Sequence, residues 1–338
     1  MSERILLTGF TGFVGSHLAS LLLETTNWQI TGMLRWRSPL DNVEDLIDKI
    51  EGNSRLHLVY ADLRDSRSLA EAVRSVKPTI VFHLAAQRYP LTSFSAPIDT
   101  LDTNVLGTYR LLDAVREHTP DAVVHVCASS EVFGRVPAER VPINEECNFH
   151  PASPYAISKV GTDLIGRFFA EAYGMTVVTT RMFTHTGPKR GDVFAESSFA
   201  KQIALIEHGF IAPVIKVGNL NSLRTFADVR DAVRAYYLLV TSNPEKGEYY
   251  NIGGSHTCTV GEMLSTLLSM SNRQHEISIE VDPARLRPID ADLQVPDTTK
   301  FFQKTGWRAE IPFNETMKNL LDYWRDRVSR RGHTFLTR

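Results

Sequence analysis

The chain has 338 residues, of which 43% are apolar and 22% charged, a balance typical of a globular protein with one large domain or two ordinary ones. A core of that size needs no disulfide or metal to stabilise it. The formal net charge of -2 argues against a nucleic-acid-binding protein, because such surfaces usually carry a basic excess.

Cysteine usage and hydropathy set further limits. Cys127, Cys147 and Cys258 fit neither a zinc spacing nor a disulfide framework, and we predict no metal site. The sequence begins with a strand-like segment rather than a signal peptide, and no apolar run reaches the length of a membrane span. We therefore expect a cytoplasmic protein that does not bind membranes.

The first half of the chain alternates between short apolar runs and segments with helical periodicity. In chain order the predicted elements are strand 5–7, helix 14–23, strand 28–34, strand 56–60, helix 66–76, strand 79–84, helix 101–117, strand 122–127, helix 153–173 and strand 176–182. Strands rich in Val, Ile and Leu that alternate with helices indicate a parallel sheet covered on both faces. The predicted fold class is α/β, with a Rossmann-like doubly wound parallel sheet.

The alternation ends near residue 181, where a polar loop at 184–192 begins. A helix is predicted near 199–208, and segments 228–241 and 249–252 are typical of a return to the Rossmann body. We predict a Rossmann domain of residues 1–181 plus about 226–254. A smaller, discontinuous α/β domain would comprise about 182–225 plus 255–338, with two amphipathic helices after residue 259.

The segment between the first strand and the first helix is rich in glycine, with the spacing Gly-x-x-Gly-x-x-Gly. Glycine permits a tight turn and a close approach to a pyrophosphate, and the next helix offers free N–H groups to its oxygens. This position predicts a dinucleotide-binding loop, and the alternative is a plain strand-to-helix turn. The loop residues assigned to the cofactor are Thr8, Gly9, Thr11, Gly12, Phe13, Val14 and Gly15.

The end of the second strand indicates which dinucleotide binds. NAD-binding folds place an acidic residue there, whereas a basic residue suits the 2′-phosphate of NADP. Arg35 and Arg37 therefore favour NADP, with an exposed basic loop as the alternative. Asp62, after the third strand, is predicted either to bind the adenine edge or to cap the following helix.

Tyr155 and Lys159 are four residues apart in a predicted helix, so they share one face. A phenol with its ordinary pKa of about 10 is a poor base at neutral pH, and a nearby ammonium should lower that pKa. The tyrosine could then exchange a proton with a substrate hydroxyl during hydride transfer. Ser129 and Ser130 follow a strand at the same sheet edge as the glycine loop, which brings these groups together. The alternative is an exposed helix face.

Two further sets of charged residues are candidates for the site. Glu131 could remove a carbon-bound proton, and the alternative is a solvated loop residue. Arginine and lysine side chains of the second domain could converge on phosphate groups, or each could be an ordinary surface charge. These basic residues are Lys189, Arg190, Arg224, Arg285 and Arg287.

Three segments resemble the extended short-chain dehydrogenase/reductase superfamily, namely TGFTGFVGS at 8–16, HLAAQ at 83–87 and SPYAISK at 153–159. Within it, SSEVFG at 129–134 resembles the catalytic segment of sugar-nucleotide 4,6-dehydratases. PKRGDVF at 188–194 and GNLNSLRT at 218–225 resemble segments of GDP-mannose 4,6-dehydratases. The closest likeness is to their heptose branch, the GDP-D-glycero-α-D-manno-heptose 4,6-dehydratases, through MLRWRS at 33–38 and RMFTHTGP at 181–188. The resemblance covers essentially the whole chain.

Some positions depart from the mannose enzymes and leave alternatives open. Thr184 replaces an asparagine and Ser129 a usual threonine, so a heptose and a hexose substrate both remain candidates. RLRP at 285–288 and TGW at 305–307 resemble GDP-4-keto-6-deoxy-mannose reductases, which can carry the same glutamate. An NADPH-dependent reductase or epimerase is therefore the alternative, and a non-catalytic NADP-binding regulator is a remote one.

The resemblance implies individual roles. Ser129 would hydrogen-bond the sugar O4, and Tyr155, assisted by Lys159, would remove the O4 proton. Glu131 would take the C5 proton and help expel the C6 hydroxyl as water. The diphosphate or guanosine would be held by Arg190, Asn219, Arg224 and Arg287. Further predicted cofactor residues are Leu63, Leu84, Ala85, Ala86 and Gln87, and further substrate residues are Thr184, His185, Lys189 and Arg285.

The predicted function is that of a GDP-sugar 4,6-dehydratase, a lyase with internal hydride transfer through NADP. Its substrate would be a GDP-manno-heptose or GDP-mannose, and its product the 4-keto-6-deoxy sugar. Because the family is typically dimeric or tetrameric, we expect a homodimer or homotetramer. Residues 38–50 resemble a loop that reaches a neighbouring subunit's cofactor site.

Overall fold

The computed structural model describes residues 2–46, 55–289 and 291–332. Its strands are β1 (Arg4–Thr8), β2 (Gln29–Leu34), β3 (Leu56–Tyr60), β4 (Ile80–His83), β5 (Val123–Cys127), β6 (Val177–Met182), β7 (His185–Thr186), β8 (Val214–Val217), β9 (Leu223–Asp228), β10 (Tyr249–Ile252), β11 (His256–Thr259), β12 (Ser278–Val281) and β13 (Leu293–Gln294). Seven of them form one parallel sheet in the order β10-β6-β5-β4-β1-β2-β3. The predicted Rossmann-like α/β fold is confirmed.

Helices cover both faces of this sheet. They are α1 (Phe13–Thr25), α2 (Ser66–Val76), α3 (Pro90–Ser95), α4 (Pro97–Leu101), α5 (Gly107–His118), α6 (Pro154–Tyr173), α7 (Ala195–Glu207), α8 (Val229–Thr241), α9 (Val260–Ser269), α10 (Thr299–Thr305) and α11 (Phe313–Arg331). Successive side chains of a strand point to opposite faces. Ile5 and Leu7 of β1 accordingly pack with α1 and α8, whereas Leu6 packs with α2, α5 and α6.

Two helical segments differ from the sequence-based prediction. The helix expected at 101–117 is interrupted by a π-helical turn, Asp102–Leu106, so that α4 and α5 are separate. After residue 259 the described chain contains three helices rather than the two predicted, and the shortest of them is α10. This helix has seven residues and buries only Phe301, which is too little for a periodic signal.

A separate hydrophobic cluster lies outside the two faces of the sheet. It joins α7, α9 and α11 to side chains from β8, β9 and β11. Beside it are two small sheets, one of β11, β9 and β13 with β7 next to β9, and one of β12 and β8. We propose that this cluster is the core of the second domain. The exact boundaries stay a prediction, and residues 333–338 lie outside the described part of the chain.

The described residues contain no helix that combines the length and hydrophobicity needed to cross a bilayer. They also contain no group of three or more His, Cys, Asp or Glu side chains arranged to hold a metal ion. Cys127, Cys147 and Cys258 are free thiols.

Candidate active site

A cavity lies at the carboxyl edge of the seven-stranded sheet, where loops after parallel strands meet. The structure brings to its lining the predicted residues Gly9, Gly12, Phe13, Val14, Gly15, Leu84, Ala86, Ser129, Glu131, Tyr155, Lys159, Thr184, His185, Arg190, Asn219, Arg224, Arg285 and Arg287. The predicted residues outside this lining are Thr8, Thr11, Arg35, Arg37, Asp62, Leu63, Ala85, Gln87 and Lys189. Of these, Thr11 and Lys189 line an adjoining depression.

The glycine loop turns tightly between β1 and α1. Gly9 has a φ of +70°, and a Cβ there would lie 2.9 Å from the backbone nitrogen of Ala85. A Cβ on Gly15 would collide with the carbonyl oxygen of Gly9. Gly12 donates its N–H to that same carbonyl at 2.8 Å and precedes the first residue of α1. The first turn of α1 is therefore open to an anion, which fits a pyrophosphate.

Thr8 connects this loop to the loop after β4. Its buried hydroxyl accepts hydrogen bonds from the N–H groups of Leu84 and Ala85, both at 3.0 Å. The same hydroxyl is 3.0 Å from Nδ1 of His83. Thr8 and Ala85 therefore shape the cavity without lining it.

Arg35 and Arg37 lie at the end of β2 and are both exposed. The N–H of Arg35 donates to Ser38 Oγ at 3.1 Å, and Arg37 has a φ of +69°. Among the described residues neither guanidinium forms an ion pair, so both charges are available to an anion. Trp36, between them, is 77% exposed, with its ring centroid 5.7 Å from that of Tyr60.

Asp62 lies near Arg35 but does not cap the next helix. It accepts the N–H of Arg64 at 2.9 Å. Partial burial acts to raise its pKa, but hydrogen bonds from Arg64 and the charge of Arg35 lower it overall. The cap of α2 is Asp65, which accepts the N–H of Ser68 at 3.1 Å. The capping alternative for Asp62 is therefore wrong, and Leu63 beside it is buried.

Tyr155 and Lys159 occupy successive turns of α6 and both line the cavity. The helix begins at Pro154, where the Ser153 hydroxyl accepts the N–H of Ala156 at 3.0 Å. The ammonium of Lys159 donates to the carbonyl of Cys127 at 2.6 Å. This contact fixes the lysine against the end of β5, on the floor of the cavity.

The electrostatics of this pair differ from the expectation. Burial raises the pKa of Tyr155, and a hydrogen bond with Ser129 only partly offsets this effect. Burial also lowers the pKa of Lys159. The expected lowering of the phenol pKa is therefore wrong for this arrangement, in which the lysine is bonded to a backbone carbonyl.

Glu131 lines the same cavity as the tyrosine and lies in a 3-10 turn, Ser130–Phe133. Its N–H donates to Ser129 Oγ at 3.2 Å, which caps the turn. One carboxylate oxygen is 3.7 Å from a guanidinium nitrogen of Arg224 and 3.7 Å from one of Arg287. Its side chain is only 15% exposed. The alternative of a solvated loop residue is therefore wrong for Glu131.

Arg190 and His185 form the wall next to the glycine loop. Arg190 pairs with Glu196 at 3.1 Å and stacks on Phe194 at 3.5 Å from the ring centroid. Burial, reinforced by Arg190, lowers the pKa of His185 to about 3, so that imidazole is neutral. Its ring stacks on Phe13 at 5.8 Å.

The remaining predicted substrate residues are placed by local contacts. Asn219 donates to Ser222 Oγ at 3.0 Å, and Arg285 donates to Ser198 Oγ at 3.0 Å. Lys189 pairs with Asp45 at 3.0 Å, which holds its ammonium away from the main cavity.

Two residues near the site were not predicted. Asn104, in the π-helical turn, exchanges hydrogen bonds with the backbone of Gln87 at 2.7 and 2.8 Å and donates to Ser158 Oγ at 2.8 Å. It therefore ties the loop after β4 to the helix that carries the tyrosine. Arg88 lines the cavity. It directly follows the segment 83–87 in the sequence, and this position next to predicted cofactor residues could have identified it.

A parallel sheet with a glycine loop and a Tyr/Lys pair facing one cavity defines the extended short-chain dehydrogenase/reductase class. The sequence profile of the family described as GDP-mannose 4,6 dehydratase matches residues 6–320, and the chain belongs to this family.

Relatives with different activities are similar to this chain. A GDP-6-deoxy-D-mannose reductase of Pseudomonas aeruginosa is 31% identical, over 97% of this chain and 99% of the relative. GDP-mannose 4,6 dehydratase 2 of Arabidopsis thaliana is 32% identical, over 94% and 85%. The solved structure of RMD from Pseudomonas aeruginosa complexed with NADPH has a TM-score of 0.81 at 28% identity, over 97% of this chain and 100% of that one.

Proposed function

We propose that the protein is an NADP-dependent GDP-sugar 4,6-dehydratase that acts on a GDP-manno-heptose or on GDP-mannose. The observation that carries the proposal is the position of Glu131. Its carboxylate lines the same cavity as Tyr155, Lys159 and the glycine loop. A reaction that only moved a hydride would need the tyrosine and lysine but no second base. Because the reductases that this sequence resembles can carry the same glutamate, the support comes from Glu131 together with the family match rather than from this residue alone.

The residues present fit the dinucleotide. The open first turn of α1 suits its pyrophosphate, and the exposed guanidinium of Arg35 suits a 2′-phosphate. The complex of the similar Pseudomonas protein with NADPH supports the same cofactor. A bound dinucleotide would supply reversible hydride transfer, from the sugar C4 and back to C6 within one turnover.

The protein residues would manage the protons of this reaction. Ser129 would hydrogen-bond the sugar O4 while Tyr155 removes its proton, with Lys159 nearby as a cation. The resulting ketone acidifies the C5–H bond. Glu131 would take that proton and pass it to the C6 hydroxyl, which leaves as water. The return of hydride to C6 would be matched by delivery of one proton to C5, which balances the proton that Tyr155 removed from O4. Arg224 and Arg287 would bind the diphosphate as well as flank the carboxylate.

Incubation of the purified protein with each GDP-sugar, without added NADPH, tests this proposal. A product lighter by one water, detected by mass spectrometry, is expected from at least one of them. Failure to form it from either would overturn the dehydratase assignment.

The similarity to the Pseudomonas reductase favours a second candidate function, an NADPH-dependent 4-keto reductase. It would consume one NADPH per product, visible as a stoichiometric loss of nicotinamide absorbance. A non-catalytic regulator would instead tolerate replacement of Tyr155 without loss of function.

We also propose that the protein assembles as a homodimer or homotetramer. α5 and α6 lie side by side and carry exposed apolar side chains, an arrangement typical of interaction surfaces. The exposed apolar residues of this region are Ile98, Leu106, Tyr109, Ile157, Leu164, Phe168 and Tyr173. Light scattering should give at least twice the monomer mass, and a monomeric mass would refute the assembly.

The loop at 38–50 is relevant to this assembly, although residues 47–50 lie outside the described part. In the described part, Asp41 forms ion pairs with two arginines of the chain's own α11. The distances are 2.7 Å to Arg331 and 3.3 Å to Arg327. The contact of the loop at 38–50 with a neighbouring subunit stays a prediction.

A further inference from the structure

Arg88 is a cation in the cavity that the proposed mechanism does not use. Its side chain lines both the main cavity and the adjoining depression. Among the described residues, no hydrogen bond, ion pair or ring contact involves its guanidinium. The neighbouring Arg190 is, in contrast, paired with Glu196 at 3.1 Å.

The guanidinium spans the gap between two loops of the cavity wall. Its Nη1 lies 3.5 Å from where a Cβ on Gly12 would be. Its Nη2 lies 3.6 Å from the corresponding position on Gly191, in the loop before α7. One nitrogen therefore faces the glycine loop and the other faces the loop that carries Arg190.

The surroundings of Arg88 carry excess positive charge. Burial of the side chain among cavity walls lowers its pKa to about 10, and the charge of Arg190 acts in the same direction. The pKa stays far above neutrality, so Arg88 is charged there. The carboxylate of Glu196 is already bonded to Arg190, and His185 is neutral. A cation in this position is stabilised by an anion that enters the cavity.

We propose that Arg88 binds a phosphate oxygen of a diphosphate. The inference rests on the proposed function, which brings two such groups to the cavity, the pyrophosphate of the dinucleotide and the diphosphate of the GDP-sugar. The planar guanidinium has the geometry for two parallel hydrogen bonds to phosphate oxygens. Its position beside Gly12 favours the dinucleotide as the source.

Calorimetric titration of Arg88→Gln with NADP⁺ and with GDP tests the assignment. We expect the Kd of one of the two to rise roughly tenfold or more, because a charge-assisted hydrogen bond is lost. A rise confined to NADP⁺ assigns Arg88 to the dinucleotide, and a rise confined to GDP assigns it to the sugar nucleotide. Arg88→Lys, which keeps the charge without the fork, should give an intermediate Kd.

Arg135→Gln is the matched control, because Arg135 is exposed and lies outside both linings. It should bind both ligands like the wild type, and the melting temperature should change in neither glutamine variant. If Arg88→Gln binds both ligands within about twofold of the wild type, the inference on Arg88 is overturned and the proposed function stands. If the wild type binds neither ligand, the inference on Arg88 and the proposed function are both overturned.

Discussion

Replacement of Glu131 by glutamine separates the elimination from the hydride transfer. The carboxylate oxygen lies 3.7 Å from a nitrogen of Arg224 and 3.7 Å from one of Arg287. Each pair would contribute on the order of 4 kcal/mol at an effective dielectric constant of about 20. The three side chains are 13 to 26% exposed, and the separations exceed ordinary hydrogen-bond length. Solvent screening therefore reduces the contribution of each pair to about 1 kcal/mol.

The loss of a general base is larger than this structural cost. Removing it should lower kcat by roughly 10²- to 10⁴-fold, equivalent to about 3 to 5 kcal/mol of activation free energy. Glu131→Gln should therefore fold and bind GDP but form little dehydrated product. Oxidation at C4 should continue, so that reduced nicotinamide accumulates on the enzyme.

Stopped-flow absorbance of the nicotinamide, combined with mass analysis of the sugar nucleotide, measures both steps. Glu139→Gln is the matched control, since Glu139 is exposed in the 3-10 turn Ala138–Arg140 and does not line the cavity. Product formation by Glu131→Gln within about tenfold of the wild-type rate would refute the role of this carboxylate.

Three further predictions follow from the site and the core. Tyr155→Phe should lower turnover by roughly 10²-fold or more while leaving the Kd of NADP⁺ within about threefold, and unchanged turnover would contradict the proton-transfer role. Arg35→Glu should weaken NADP⁺ binding more than NAD⁺ binding in parallel titrations, and equal losses would count against a 2′-phosphate contact. Burial lowers the pKa of His83, His125 and His185 to about 3 from an ordinary 6.5. The unfolded chain thus binds more protons below about pH 6.5, and the free energy of unfolding should fall by up to about 1.4 kcal/mol per histidine per pH unit towards pH 3. Urea unfolding at about pH 7 and about pH 5 measures this, and equal stabilities would contradict it.

The sheet could be predicted from the sequence because its central strands, such as β4 and β6, are buried on both faces. The apolar runs around Ile5 and Val124 are separated by helices of sufficient length, and such a pattern has few topologies. The glycine loop and Tyr155 were predictable for the same reason, since a sheet edge collects the loops that follow parallel strands. Short elements such as α10 were not, because one buried residue gives no period.

Parts of the site depend on contacts that no local pattern contains. The pKa of Tyr155 rises because the phenol is buried, and burial at that depth cannot be read from spacing. The bond from Lys159 to the carbonyl of Cys127 is likewise a contact between distant segments. Asn104, which lies in a π-helical turn, hydrogen-bonds Gln87 and Ser158 of two other segments. Such contacts arise from tertiary packing across more than 15 residues of sequence.

The central claim is that one hydride moves from C4 to C6 of the same sugar. A GDP-sugar substrate carrying deuterium at C4 tests it, with the position of the label in the product determined by NMR and mass spectrometry. We predict a 4-keto-6-deoxy product with deuterium at C6 and no net consumption of NADPH. A product without deuterium at C6, or consumption of one NADPH per product, would contradict the dehydratase mechanism.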